Sequence, residues 1–192
     1  IYRLLNSLPT KLTDNEQENK EETFSYDPVG NRLTGPETKD THYYNQGNRL
    51  TNDRKHQYEY DRNGSLVKKT ETEDDGKTKT WMYSYDFESR LVKAVKSEDI
   101  ETKTTTFKYD PFGRRIEKKV EEIEDGKIET KIYTYVYDNE DVILEYLTKT
   151  EDGESKTQTT RYVHGQGIDE PLAIERKGET YYYHADGLGS IV

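Results

Sequence analysis

The sequence predicts an all-β protein, an extended antiparallel meander of successive β-hairpins in a strongly twisted, curved sheet. Three observations carry this. A strand–turn–strand unit recurs along the chain, a second set of turns falls between its copies, and the composition favours strands. The clearest copy is Phe107-Lys108-Tyr109-Asp110-Pro111-Phe112-Gly113-Arg114-Arg115-Ile116. Phe107 and Tyr109 point to one face of an extended chain and Lys108 to the other. Asp110 can accept a hydrogen bond from the backbone two residues on, Pro111 pre-sets φ, and Gly113 tolerates the left-handed conformation that closes the loop.

Other copies are read directly. Tyr26, Asp27 and Gly30 repeat the unit nearly unchanged, as do Tyr60, Asp61 and Gly64. The copy at Tyr44 and Gly47 reads as a loop one residue shorter. Tyr85-Asp86 is followed by Ser89 in the glycine's place, and Tyr137-Asp138 by Asp141. In two late copies His164 and His184 stand where the second aromatic stood. Between the Tyr-Asp turns lie Gly35-Pro36, Asn52-Asp53, Asp74-Asp75-Gly76, Glu98-Asp99, Asp125-Gly126, Asp152-Gly153 and Lys177-Gly178. Asp-Gly between β-prone runs is a strong hairpin signal, because both residues accept the positive φ of a type I′ turn.

Alternating turns imply an up-and-down meander with Tyr-Asp turns along one edge and Asp-Gly turns along the other. Its strands run about 6 to 11 residues, near the usual range. From Thr78 to Tyr85, Trp81, Tyr83 and Tyr85 share a face; from Ile128 to Tyr137, Ile128, Thr130, Ile132, Thr134 and Val136 oppose Glu129, Lys131, Tyr133, Tyr135 and Tyr137. Both faces read as mixed. Cohesion therefore rests on ladder hydrogen bonds and on cross-strand Tyr, Thr, Lys and Glu pairs, each worth about 0.2–1 kcal/mol. Such a repeat sheet is stabilised neighbour by neighbour. The first residues, 1–23, read as an incomplete repeat with a turn at Asp14-Asn15.

Composition supports strands without a large core. Of 192 residues only 30% are hydrophobic and 35% are charged, yet 17 are Tyr. Low hydrophobicity and a net charge of -10 suit disorder; Tyr, Thr, Val and Ile in alternating runs favour strands. The acidic balance argues against nucleic acid, which needs clustered Lys and Arg. No Cys is present, so neither a disulfide framework nor thiol chemistry is available. No stretch has the length and apolarity of a membrane span.

Candidate chemistry resolves into architecture. Asp27, Asp61, Asp86, Asp110 and Asp138 are too far apart in sequence to form a glycosidase pair within one repeat. Asp61-Arg62-Asn63-Gly64-Ser65 stops short of a calcium loop. The four histidines lack metal-ligand spacing, and Gly187-Leu188-Gly189-Ser190 is not a nucleophile elbow. The expectation is thus no catalytic residue, no metal and no cofactor. The Tyr-rich sheet face leaves one alternative, a module binding cell-surface carbohydrate.

These Tyr-Asp units resemble the YD repeats of the Rhs family, and the ending Tyr183-His184-Ala185-Asp186-Gly187-Leu188-Gly189-Ser190-Ile191-Val192 resembles the start of that family's repeat-associated core. The resemblance implies a sheet over 24–160 and entry into the core region, continuous with the sheet, over 161–192, with His184, Asp186, Gly187, Gly189 and Ser190 carrying the core motif. It further implies a secreted or cell-surface parent protein whose repeats wind a hollow shell around a variable C-terminal effector, frequently a toxin. Partners would then be that effector and further repeats. Family members that cleave themselves use aspartates downstream of the core motif, so this stretch is expected to be a non-catalytic scaffold.

Overall fold

A computed structural model describes residues 6–7, 22–35, 42–167 and 170–184. The Asp14-Asn15 turn, Pro36 and the motif residues Asp186, Gly187, Gly189 and Ser190 lie outside them. The described residues contain strands and turns and no helix. Two short pairs come first: β1 (Asn6–Ser7) with β2 (Glu22–Thr23), and β3 (Ser25–Tyr26) with β4 (Arg32–Thr34). An open antiparallel sheet of 13 strands follows. Its members are β5 (Tyr43–Tyr44), β6 (Leu50–Asn52), β7 (His56–Tyr60), β8 (Leu66–Thr72), β9 (Thr78–Tyr85), β10 (Leu91–Glu98) and β11 (Glu101–Tyr109). The chain continues through β12 (Arg115–Glu124), β13 (Lys127–Asp138), β14 (Asp141–Glu151), β15 (Glu154–His164), β16 (Pro171–Arg176) and β17 (Glu179–Tyr182). Each strand neighbours the next in sequence with no crossover, as tight turns at every reversal dictate. Strands run from 2 to 12 residues, a wider spread than the turn spacing suggested. Strand β15 passes without a break through the 160/161 boundary.

Contacts divide the chain into two compact units, Ile1–Lys79 and Thr80–Val192. Among the described residues neither unit has a conventional core. Among the described residues only His42, Val120, Thr160 and Ala173 are buried, so cohesion comes from in-sheet pairing rather than from a second layer.

In the second unit the pairs are those of a charge-laced sheet. Lys103 stands opposite Glu122 and Lys108 opposite Glu117, and both pairs are in ionic contact. Lys131 reaches Glu129 at 3.0 Å and Glu122 at 3.4 Å. Thr148 and Thr157 join hydroxyls at 2.9 Å. The two faces are not equivalent, contrary to the mixed pattern of the sequence. Tyr133, Tyr135 and Tyr137 are half-buried, whereas Ile128 and Val136 on the other face are 59% and 38% exposed. Long cations lie along the rings: Lys118 sits 5.3 Å from the Tyr133 ring centre and Arg115 5.1 Å from that of Tyr135. Their aliphatic stems cover aromatic surface while their heads stay wet.

The turns follow two local rules. Asp125-Gly126, Asp152-Gly153 and Lys177-Gly178 each have positive φ at both residues, the type I′ requirement. Asp99-Ile100 closes the β10–β11 hairpin instead of Glu98-Asp99, because Glu98 pairs with Glu101. The turn after Asn52 closes at His56, whose carbonyl accepts the Asp53 amide.

Candidate functional site

The recurrent feature is the Tyr-Asp turn edge. In each full turn the aspartate amide donates to the carbonyl of the residue four on, and the amide three on donates back to the aspartate carbonyl, as for Asp27, Asp61, Asp86 and Asp110. The side chain closes the same ring from outside. Asp110 Oδ1 accepts the Phe112 and Arg114 amides, both at 2.9 Å. Asp86 Oδ1 takes those of Glu88 and Arg90, Asp27 Oδ1 those of Gly30 and Asn31, and Asp61 Oδ1 that of Ser65. The residue three on carries positive φ: Gly30, Gly64, Ser89 and Gly113.

Two sequence expectations change here. The loop at Tyr44 is not shorter: the Asn45 amide bonds to Arg49, four residues on, and Asn48 rather than Gly47 takes the left-handed position, at φ 57°. Gly47 instead donates its amide to Asn45 Oδ1. Asn tolerates this conformation through its short polar side chain, so the glycine one residue earlier was a false marker. At the second site Asp138 pairs with Asp141 across a two-residue turn, and Asn139 carries the positive φ. Asp141 therefore does not substitute for the turn glycine.

The turns that follow Tyr26, Tyr44, Tyr60, Tyr109 and Tyr137 each end in a bulge. Tyr26 opposes Arg32 and Ser25 opposes Thr34, leaving Leu33 extra; Tyr60, Tyr109 and Tyr137 show the same shift. A bulge frees backbone groups from the ladder, and the next tyrosine uses one. The Tyr44 hydroxyl donates to the Arg32 carbonyl at 2.7 Å, Tyr60 to Leu50 at 2.8 Å, Tyr109 to Leu91 at 2.8 Å and Tyr137 to Arg115 at 2.9 Å. Arginine completes the tie. Arg90 Nε donates to Asp86 Oδ2 at 2.7 Å and its guanidinium lies 5.1 Å from the Tyr109 ring centre. Arg114 Nε donates likewise to Asp110 Oδ2 at 2.7 Å and lies 5.0 Å from the Tyr137 ring centre. Arg114 Nη1 also donates to the Asn139 carbonyl, and Arg49 stacks on Tyr60. One turn is thus fastened to the next by carboxylate, guanidinium, ring and carbonyl in series.

Sequence reasoning missed the arginines and the hydroxyl acceptors. A signal for the arginines was present: Arg49, Arg90 and Arg114 each directly follow the left-handed residue. His164 marks a departure in the series, since its Nδ1 is buried with no hydrogen-bond partner. His184 is exposed.

Electrostatics agree with a fastening role. Partial desolvation opposes ionisation of Asp110, but the Arg114 side chain and the Arg114 and Phe112 amides outweigh it and hold the carboxyl below its ordinary value of 3.8. Asp86 is lowered in the same way against desolvation by Arg90, and Asp27 by Asn31 and Gly30. Burial pushes the Tyr44, Tyr60 and Tyr137 hydroxyls up, keeping them protonated donors. Among the described residues no group of three or more His, Asp or Glu side chains is arranged to hold a metal ion. No helix there is long and apolar enough to cross a membrane.

Comparison with known proteins places this geometry. Over 175 residues the chain is 28% identical to the tRNA3(Ser)-specific nuclease WapA of Bacillus spizizenii, covering 88% of this chain and 6% of that protein. Similarity to the tRNA nuclease WapA of Bacillus subtilis is 27% over the same length, again 88% of this chain and 6% of that one. To the double-stranded DNA deaminase toxin A of Burkholderia cenocepacia it is 36% over 105 residues, 54% of this chain and 7% of that protein. The chain thus spans under a tenth of these relatives' length. The family model described as the teneurin YD-shell matches residues 7–192. With that match over nearly the whole chain, and with Tyr-Asp turns fastened in series along an uninterrupted meander, this chain belongs to the teneurin YD-shell family.

Proposed function

We propose that this chain is a non-catalytic segment of a β-sheet shell that encloses or presents a C-terminal effector, in a protein exported to the cell surface or beyond. The observation that carries this is the serial Asp–Arg–Tyr–carbonyl tie, which commits the repeated polar groups to joining neighbouring hairpins. Groups so committed build wall, since a reacting centre needs convergent, unsatisfied side chains in a cleft. The named activities of the relatives, a tRNA nuclease and a DNA deaminase toxin, belong to proteins more than ten times longer than the matched stretch. They support effector association and assign no chemistry to these residues.

Carbohydrate binding finds less support. The hydroxyls of Tyr44, Tyr60, Tyr109 and Tyr137 are bonded to carbonyls, and Arg or Lys lies over the rings of Tyr60, Tyr109, Tyr133, Tyr135 and Tyr137.

The purified chain should hydrolyse neither tRNA nor duplex DNA and should give no stable truncated band on incubation; either event would end the non-catalytic reading. Enclosure is tested on the longer parent protein by limited proteolysis. An effector protected in the parent and cut once Asp86 and Asp110 are both changed to Ala supports a shell, and one cut equally in both refutes it.

A further inference from the structure

We infer that the half of β15 from Glu154 to Thr159 is an interaction surface for an extended partner segment in which an acidic residue is followed, two positions on, by a basic one. This goes beyond the shell reading and holds whether or not an effector is enclosed.

The opening lies inside the strand order and not at its end. β14 and β15 pair down to Glu151 and Glu154, but β16 accompanies β15 only from His164 to Thr160, because Arg176 already pairs with Glu179 across the next turn. Glu154 to Thr159 therefore have β14 on one flank and, among the described residues, no strand on the other. All of them but Gln158 are exposed.

Register fixes which backbone groups are free. Glu151 and Glu154 flank the two-residue Asp152-Gly153 turn, so they form its hydrogen-bonded closing pair and Glu154 turns its backbone groups toward β14. Direction alternates along an antiparallel strand, which turns the N–H and C=O of Ser155, Thr157 and Thr159 outward. The same alternation runs on to Arg161, opposite Glu175 of β16. Among the described residues no hydrogen bond takes up the outward amides of Ser155, Thr157 and Thr159. Such a row is a template for another strand.

Charge selects that strand. Glu154, Lys156 and Gln158 share one face. Lys149 stands opposite Lys131 on one side and opposite Lys156 on the other. Glu122 and Glu129 answer Lys131, whereas among the described residues neither Lys149 nor Lys156 is in ionic contact with a carboxylate. Like charges directly opposite are unfavourable, and Glu151 opposite Glu154 is a second such pair. An antiparallel segment with Glu facing Lys156 and, two residues on, Lys facing Glu154 relieves both. β13 itself carries that order as Glu129-Thr130-Lys131. Lys on an edge wards off other strands; here it turns away apolar and basic ones and admits an acidic one. The β15 of a second copy does not fit. Centred on Thr157, it would set Glu154 against Thr160 of that copy, where Arg176 of the same copy already stands.

The probe is an acetylated, amidated peptide copied from Lys127 to Ile132, added to the 192-residue chain. Hydrogen exchange followed by NMR reads the contact, with peptide carried into the millimolar range because so small an interface is weak. The Ser155, Thr157 and Thr159 amides should slow as peptide is added, and those of Lys156 and Gln158, already turned to β14, should not. Lys156→Glu should weaken binding about fivefold or more. A peptide with its Glu and the following Lys exchanged should prefer the double variant Glu154→Lys, Lys156→Glu. Thr157→Pro removes an outward donor without breaking a β14 bond and should abolish the protection. Exchange at Ser155, Thr157 and Thr159 that ignores the peptide, or binding indifferent to Lys156→Glu, would overturn the assignment. Slowing of the same amides with protein concentration alone would give the edge to a second copy and overturn the choice of partner.

Discussion

Replacing Tyr109 by Phe removes one atom from the tie between neighbouring turns and leaves the rest. The ring stays beneath Arg90, 5.1 Å away, and only the hydroxyl bond to the Leu91 carbonyl, 2.8 Å long and part-buried, is lost. A net intramolecular hydrogen bond is worth about 0.5–1.5 kcal/mol, and the Leu91 carbonyl regains some water, so about 1 kcal/mol is expected. Tyr109→Ala also deletes the half-buried ring and its cation–π contact. That contact is worth about 0.5–1 kcal/mol at a wet site and the apolar surface about as much again, bringing the total to about 2–3 kcal/mol. Urea unfolding monitored at the single Trp81 supplies both numbers, with an unchanged denaturant slope as the control for altered compactness. A loss below about 0.3 kcal/mol for Tyr109→Phe, smaller than the lower bound for a net bond, would mean that the hydroxyl ties nothing. Equal losses for Phe and Ala would shift the whole effect onto the hydroxyl and refute the contribution of Arg90.

Other outcomes follow from the same geometry. Ser89 occupies a left-handed position at φ 62°, so Ser89→Gly should stabilise by about 0.5 kcal/mol, relief of backbone strain exceeding added chain entropy; thermal unfolding reads it. Gly113→Ala should cost about 1 kcal/mol from the backbone alone, since no heavy atom lies within 4 Å of the added carbon, and a larger loss would show a hidden contact. Changing His164 to Tyr would restore a hydroxyl where the other turns carry theirs and should gain about 1 kcal/mol, read as a raised denaturant midpoint. Acid should loosen the turn edge. The folded-state pKa values of Asp27, Asp86 and Asp110 lie below 3.8, so their contribution is full above that value and is lost as pH falls through the folded values. Stability at pH 6 and pH 3 compared in wild type and in a triple Asp→Asn variant should show the wild type losing more; equal losses would sink the linkage.

Much of the architecture was legible in the residues. The positions of reversal were, because a turn depends on four or five contiguous residues: an Asp able to cap, a residue able to take positive φ, and alternating strands on either side. Asp27, Asp61, Asp86 and Asp110 could be located this way, and so could the type I′ turns at Asp125, Asp152 and Lys177. Local chemistry failed where two candidates stood side by side. At Gly47-Asn48 residue preference pointed to glycine, but the ring of bonds from Asn45 to Arg49 fixed the left-handed site at Asn48.

The sequence by itself therefore determined that this chain folds back on itself repeatedly, with two alternating kinds of turn and without a conventional core. Only the tertiary structure decided which carbonyl each tyrosine reaches and which guanidinium covers it. Tyr109 and Leu91 are 18 residues apart, and Tyr137 and Arg115 are 22 apart. Those separations vary with strand length, while the register that sets the Arg115 carbonyl before Tyr137 includes one extra residue in the bulge opposite Tyr109. A one-residue slip reverses the face of every side chain beyond it, so bonds between repeats are a property of the assembled ladder and of no single repeat.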